Sequence, residues 1–211
     1  MSWFEIPLPM PARFSYRDEP APDEAAIASG EQVHGVRIAQ VSHCGREPAT
    51  DGLITEEMGL TIGIRVADCA AVLFAAPRRG IIAAVHAGWR GAAGGIHLEA
   101  VRRMVDRDAA MDEIHVWISP CISLQAFEVG DEVAARFPER FVHRHGFQKP
   151  HVDLPGYLAD GLLQAGVPQQ QMLVDGRCTV SDAQRFHSYR REGIQAGRMW
   201  AMITNRPIRH D

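Results

Sequence analysis

Strands interleaved with helices, some joined directly by hairpins, predict an α+β fold of mixed β-sheets flanked by helices. Three observations carry this. Ala70–Ala76 and Gly80–Val85 are short, continuous apolar runs around the turn Pro77-Arg78-Arg79-Gly80, as expected of strands buried on both faces and joined by a tight loop. After Gly94-Gly95, the residues Ile96, Ala100, Val101, Met104 and Val105 recur at helical spacing, with Arg102, Arg103 and Asp106 on the other side, which reads as an amphipathic helix covering that sheet. No internal repeat or linker divides the 211 residues, so one domain spanning 1–211 is expected, large enough to bury a core without disulfides or structural metals.

Taken in order, the segment before His34 is rich in Pro, Ala and acids and reads as one short strand near Phe4 followed by loop. A strand is expected over Val36–Val41, a turn at Asp51-Gly52 and a second strand over Leu60–Val66. The central hairpin and its helix follow. Ile114–Ile118 alternates like a strand, Val129–Phe137 reads as a helix stopped by Pro138, and Leu154–Ala165 as another ending at Gly166. Leu173-Val174 and Met199–Thr204 supply the last strands.

Composition removes several function classes. With 22 Lys+Arg against 26 Asp+Glu and a formal charge of -4, there is no basic face for nucleic acid. The longest apolar run, Cys69–Ala76, is eight residues, where a membrane-spanning helix needs roughly 20. The opening Met1–Pro7 has no basic leader and carries an acid at Glu5, which points to the cytoplasm. Cys44, Cys69, Cys121 and Cys178 include no C-x-x-C pair, so they are expected as reduced thiols, and any metal site must draw on distant parts of the chain.

The densest chemistry brackets the hairpin: Ala67-Asp68-Cys69 before it and Val85-His86-Ala87-Gly88-Trp89-Arg90-Gly91 after it. If Ala76 pairs with Ile81, then Ala71 faces His86 and Cys69 faces Gly88. Cys69 and His86 then lie diagonally on one face, roughly 7 Å apart at the backbone, within reach of a shared ion or hydrogen bond. A one-residue slip would separate them, and the same parity turns Asp68 away. With His34, at the entrance to a strand, they would complete a two-His, one-Cys set, which suits zinc with an open fourth position. The alternative is a buried Cys and two histidines satisfied by backbone groups. Gly88–Gly91 runs toward a helix starting near Ala92, where backbone N–H groups and Arg90 would hold an anion; a glycine-permitted turn with Trp89 in the core is the other reading. Phe186–Gly193 and His143-Arg144-His145 read as solvated surface.

These residues together resemble a family. Gln32-Val33-His34-Gly35, Ala67-Asp68-Cys69, His86–Gly91, Phe127-Glu128-Val129-Gly130, Asp153-Leu154, Cys178-Thr179, Phe186 with Ser188-Tyr189-Arg190-Arg191, and Gly197-Arg198-Met199 fall in the order seen in the laccase-domain family, also called polyphenol oxidase, peptidoglycan editing factor and purine nucleoside phosphorylase. The resemblance covers about residues 31–204. It implies a fold similar to Cys/His deamidases and a zinc held by His34, Cys69 and His86, with copper as the alternative ion. The family's usual Thr-Thr-Arg-x-Gly-Gly-x-Ser and Ser-Leu-Asn-Leu-Gly stretches are missing, so about 1–30 is a shortened, divergent N-terminal segment from which no substrate-binding residue carries over. Ser119–Gln125 and His187 also depart from the family pattern.

The resemblance implies phosphorolysis of adenosine, inosine and methylthioadenosine, with adenosine deamination at the same centre. Deamination needs a metal-activated water, and phosphorolysis an anion held by Arg90 or Arg190. Asp68 and Arg90 are thus the candidate catalytic residues, the general acid/base being unassigned. Three other readings compete: a Cys69 thiolate with His86 as base, giving an amidase or deamidase; a non-catalytic zinc-containing binding protein; and a copper-dependent polyphenol oxidase, for which one His-x-His is too few paired histidines.

Overall fold

The computed structural model describes residues 3–206; Met1 and Ser2, which begin the opening segment read above, lie outside them. In chain order the strands are β1 (Trp3–Ile6), β2 (Ala12–Ser15), β3 (Ala28–Gly30), β4 (Ile38–Gln40), β5 (Gly45–Glu47), β6 (Gly52–Thr55), β7 (Thr61–Val66), β8 (Ala70–Ala76) and β9 (Ile81–Ala87). Helices α1 (Trp89–Ala93) and α2 (Ile96–Val105) follow, then β10 (His115–Ile118), α3 (Asp131–Ala134), and the short pair β11 (Val142–His143) and β12 (His151–Val152). The chain closes with α4 (Leu154–Gln164), β13 (Met172–Val174), α5 (Tyr189–Glu192) and β14 (Met199–Thr204).

Two six-stranded sheets dominate, in the orders β1-β2-β14-β7-β3-β5 and β13-β10-β8-β9-β6-β4. Both are mixed: β3 runs parallel to β5 and β7 in the first, and β4–β6 and β10–β13 are parallel pairs in the second. The central hairpin explains the layering. Val72, Phe74, Ala83 and Val85 point into a core shared with Ile96 and Met104 of α2 and Leu158 and Leu162 of α4. Ala71, Leu73, Ile82 and Ala84 point the other way, onto Phe14, Ile62, Ile64 and Ala201 of the first sheet. Helices, second sheet and first sheet are therefore stacked, and β8 and β9 read as continuous apolar runs because both their faces are covered. Each large side chain fully buried there contributes about 1.5–3 kcal/mol.

The hairpin register is the expected one, with Ala76 opposite Ile81 and Ala71 opposite His86. Other elements differ. Residues 3–30 form three strands rather than one, because β2 is stabilised by pairing with β14 from the far end of the chain, a partner that local patterning does not reveal. Gly52, expected in a turn, opens β6 beside β9. The helix expected over Val129–Phe137 is only the four-residue α3, and the strand expected over Val36–Val41 is three residues long.

Candidate metal centre

Two of the chain's crossings between the sheets each carry a candidate metal ligand. His34 lies on the connection from β3 in the first sheet to β4 in the second, and Cys69 on the connection from β7 to β8. His86 stands on β9 opposite Ala71, so Cys69, two residues before Ala71, shares its face and packs against the core between the sheets. The donor atoms of His34, Cys69 and His86 all lie within 4.8 Å of one another, with the two imidazole rings edge to face at 4.9 Å. Gly88 makes the room: a Cβ there would stand 2.8 Å from the Cys69 sulfur and 3.4 Å from His34 Cδ2. Tetrahedral zinc sets its donors roughly 3.5 Å apart, so this His-Cys-His set fits the ion with a small inward movement. The shared face of Cys69 and His86 expected from the hairpin pairing is present.

A residue read only as a turn marker organises these candidate ligands. Asp51 is fully buried. One carboxylate oxygen accepts from His86 Nδ1 at 2.8 Å and from the His34 backbone N–H at 2.9 Å; the other accepts from the N–H groups of Gly35 at 2.7 Å and Val33 at 3.1 Å. With Nδ1 donating to Asp51, His86 presents Nε2 to the centre. The same carboxylate holds His34 in a left-handed backbone conformation, φ +62°, which costs energy in a residue with a side chain. Burial works against ionisation of Asp51, but the bonds from His86, Gly35 and Val33 hold its pKa below the usual value. Burial likewise pushes the Cys69 thiol up, yet hydrogen bonds with His34 and His86 outweigh this and bring it down to about 6. His86 shows the mirror image: burial lowers it, while Asp51 and Cys69 raise it.

Asp68 lies beside the centre but its carboxylate is engaged. Held at φ +79°, it accepts from the Thr179 hydroxyl at 2.6 Å, the Ser188 hydroxyl at 3.1 Å and the Arg190 N–H at 2.6 Å. It gathers two late segments onto the β7–β8 crossover. Arg90 is placed otherwise than expected. Helix α1 begins at Trp89 rather than near Ala92, so Trp89 faces the cavity while Arg90 is exposed, its guanidinium over the Trp89 ring at 4.3 Å. A helix this short offers no anion site to replace it.

His34, Cys69 and His86 line a cavity of about 620 Å³. Trp89, Phe127 and Tyr189 give it aromatic walls, Ile122 and Leu154 aliphatic ones, and Gln32, Arg65, Arg190 and Arg198 polar ones. Gln32 secures the His34 segment by exchanging hydrogen bonds of 2.8 and 2.9 Å with the backbone of Arg65. Arg190, expected as one of two possible anion holders, does line the cavity, whereas Phe127, Tyr189 and Arg198 come from segments read as surface or as family pattern only; their convergence depends on loops no local periodicity describes. Among the described residues no helix is long and apolar enough to cross a membrane.

Comparison with known proteins agrees with this architecture. The chain is 39% identical over 177 residues to a purine nucleoside phosphorylase of Deinococcus radiodurans, covering 82% of this chain and 67% of that protein. It is 33% identical over 189 residues to adenosine deaminase RL5 from an unknown prokaryotic organism, covering 82% and 72%. The crystal structure of YlmD from Geobacillus stearothermophilus superposes with a TM-score of 0.88 at 28% identity, covering 98% of this chain and 97% of that one. Residues 14–206 match the family described as multi-copper polyphenol oxidoreductase laccase. With relatives this similar and the match spanning nearly all the described residues, the chain belongs to that family.

Proposed function

We propose that this protein is a zinc-dependent purine nucleoside phosphorylase, acting on adenosine, inosine and methylthioadenosine, that also deaminates adenosine at the same centre. The observation that carries the reading is the His34-Cys69-His86 set opening on an aromatic-walled cavity of about 620 Å³, a volume that suits a small ligand. The names of its relatives, purine nucleoside phosphorylase and adenosine deaminase, support the substrate class. Zinc bound there supplies Lewis acidity at an open coordination position. The chain does the rest. Asp51 orients His86 and fixes the His34 backbone. Trp89, Phe127 and Tyr189 offer flat faces for a purine, and Ile122 and Leu154 limit water. Phosphorolysis breaks the bond from the base to the sugar and joins the sugar to phosphate, while deamination adds water and releases ammonia. Only the first needs an anion held beside the sugar.

Elemental analysis of the purified protein beside phosphate-dependent cleavage of adenosine and inosine tests this. The expected result is about one zinc per chain, and turnover lost with chelator and restored by zinc rather than copper. Full activity in metal-free protein would overturn it. Copper at the same stoichiometry with oxidation of a phenol would favour the oxidase, although the described residues offer a single ligand group where dioxygen reduction by a laccase needs several coppers.

One observation favours a second reading. Cys69, with its lowered pKa, His86 and Asp51 stand in the relation of nucleophile, base and orienting carboxylate, which is the arrangement of a cysteine amidase or deamidase. Under that reading, chelator leaves turnover intact and iodoacetamide abolishes it; under the zinc reading, chelator abolishes turnover.

A further inference from the structure

The cavity carries positive charge that the metal ligands do not explain. Arg65, Arg190 and Arg198 line it, and the carboxylate among its walls, Asp68, is already engaged. Arg190 is engaged too, donating to the carbonyls of Ala126 at 3.2 Å and Glu128 at 2.9 Å. Arg65 and Arg198 differ. Val66 of β7 pairs with Met199 of β14, and the two arginines flank that pair, so both stand at the same end of the first sheet. Arg65 is pre-organised: its guanidinium lies 5.5 Å from the Trp200 ring and donates to the Gly30 carbonyl at 3.2 Å. The acid paired with it, Glu24, is 3.7 Å away and partly exposed. Arg198 donates from Nη1 to the carbonyls of Ala196 and Gly197, and Nε and Nη2 have no hydrogen-bond partner among the described residues. Arg46 adds a third charge close enough to act on Arg65. Among the described residues neither Arg46 nor Arg198 forms an ion pair, and the carboxylate paired with Arg65 is that of Glu24.

Such a group is short of negative charge. Burial and the fields of Arg46 and Arg198 both work against the charge on Arg65, and an anion between the guanidiniums relieves that repulsion. The planar fork of arginine matches the oxygens of phosphate two at a time. We propose that Arg65 and Arg198 form a phosphate subsite at the mouth of the cavity, for inorganic phosphate or for the phosphoryl group of a nucleoside monophosphate. Its use in catalysis rests on the nucleoside reading above; the binding itself does not.

Calorimetric titration of the zinc-loaded protein with inorganic phosphate, and separately with a nucleoside monophosphate, tests the binding directly, and the phosphate dependence of inosine cleavage tests its use. In Arg198→Gln, whose side chain is exposed and carries little folding risk, the Kd for phosphate should rise 10- to 100-fold, in keeping with loss of charge-assisted hydrogen bonds. Arg65→Gln should act in the same direction, and Arg198→Lys should lose less because it keeps the charge. KM for phosphate should rise with Kd while KM for inosine stays within about twofold, a split that general unfolding would not produce. Tighter binding of inorganic phosphate than of the monophosphate identifies a co-substrate site; the reverse order, lost in the variants, identifies a nucleotide site. Wild-type Kd in both glutamine variants overturns the proposal, as does failure of the wild-type protein to bind either anion at millimolar concentration. Arginine-dependent phosphate binding without cleavage of any nucleoside would leave the subsite standing and remove the nucleoside reading.

Discussion

Asp51 accepts four hydrogen bonds, three from successive backbone N–H groups and one from His86, and so sets the direction of one candidate metal ligand and the backbone strain of another. Asn at this position keeps the shape but replaces one acceptor oxygen with a donor, which must then face an N–H. Asp51→Asn should therefore weaken zinc binding about 10- to 100-fold, read by competition with a chromogenic chelator; an unchanged affinity would show that His34 and His86 hold their positions without it. Nothing in the sequence marks this role. Asp51-Gly52 has the composition of a turn, and a buried carboxylate is recognised by its partners, here Val33 to Gly35 and His86, rather than by its neighbours. Cys69 and His86 were legible because they sit on one hairpin, whose alternation fixes which side chains share a face.

At the scale of elements, α2 and α4 meet over a group that the proposed chemistry does not use. His97 of α2 is fully buried, neither ring nitrogen has a hydrogen-bond partner among the described residues, and Gly161 of α4 leaves the space it fills, a Cβ there standing 2.7 Å from Nε2. Burial brings its pKa down to about 4 from 6.5. Between those values the unfolded chain takes up a proton that the folded one refuses, so the stability is fully present above pH 6.5 and is lost as pH falls toward 4. The full difference is about 3 kcal/mol. Urea unfolding at pH 7 and pH 5 should show the wild-type protein losing about 2 kcal/mol more than His97→Leu; equal losses would mean that the helix interface opens to let the ring ionise. The helices themselves were readable from apolar spacing. Strands β1–β3 were only partly so, because β2 takes its stability from β14 and β3 from β7, and segments of three or four residues carry too little periodicity to announce such partners.

Across the whole molecule, His34 and Cys69 occupy two separate crossovers between the sheets and His86 the strand between them. An ion bound by all three ties both crossovers to the second sheet, and because the unfolded chain holds no such arrangement, its binding energy adds to folding stability. Zinc at about 1,000 times its Kd contributes about 4 kcal/mol, and in a chain of this size that corresponds to a rise in Tm on the order of 10 °C. Scanning calorimetry of zinc-loaded and chelator-stripped protein measures it. Coincident Tm values would show that the crossovers are held by Asp51 and the two cores alone.

Local patterning carried the α+β class and, on the condition that Ala76 pairs with Ile81, the shared face of Cys69 and His86. These follow from local rules: side chains alternate along a strand, and a short loop leaves little freedom in how its two strands pair. Long-range packing is what makes Asp51 the hub of His34 and His86, turns Trp89 rather than Arg90 to the cavity, engages Asp68 with Thr179, Ser188 and Arg190, and brings Arg65 and Arg198 to one end of the first sheet. Each depends on segments far apart in the chain being brought into contact, and such contacts are selected by the packing of the whole molecule, where two six-stranded sheets must cover each other before any loop has a place.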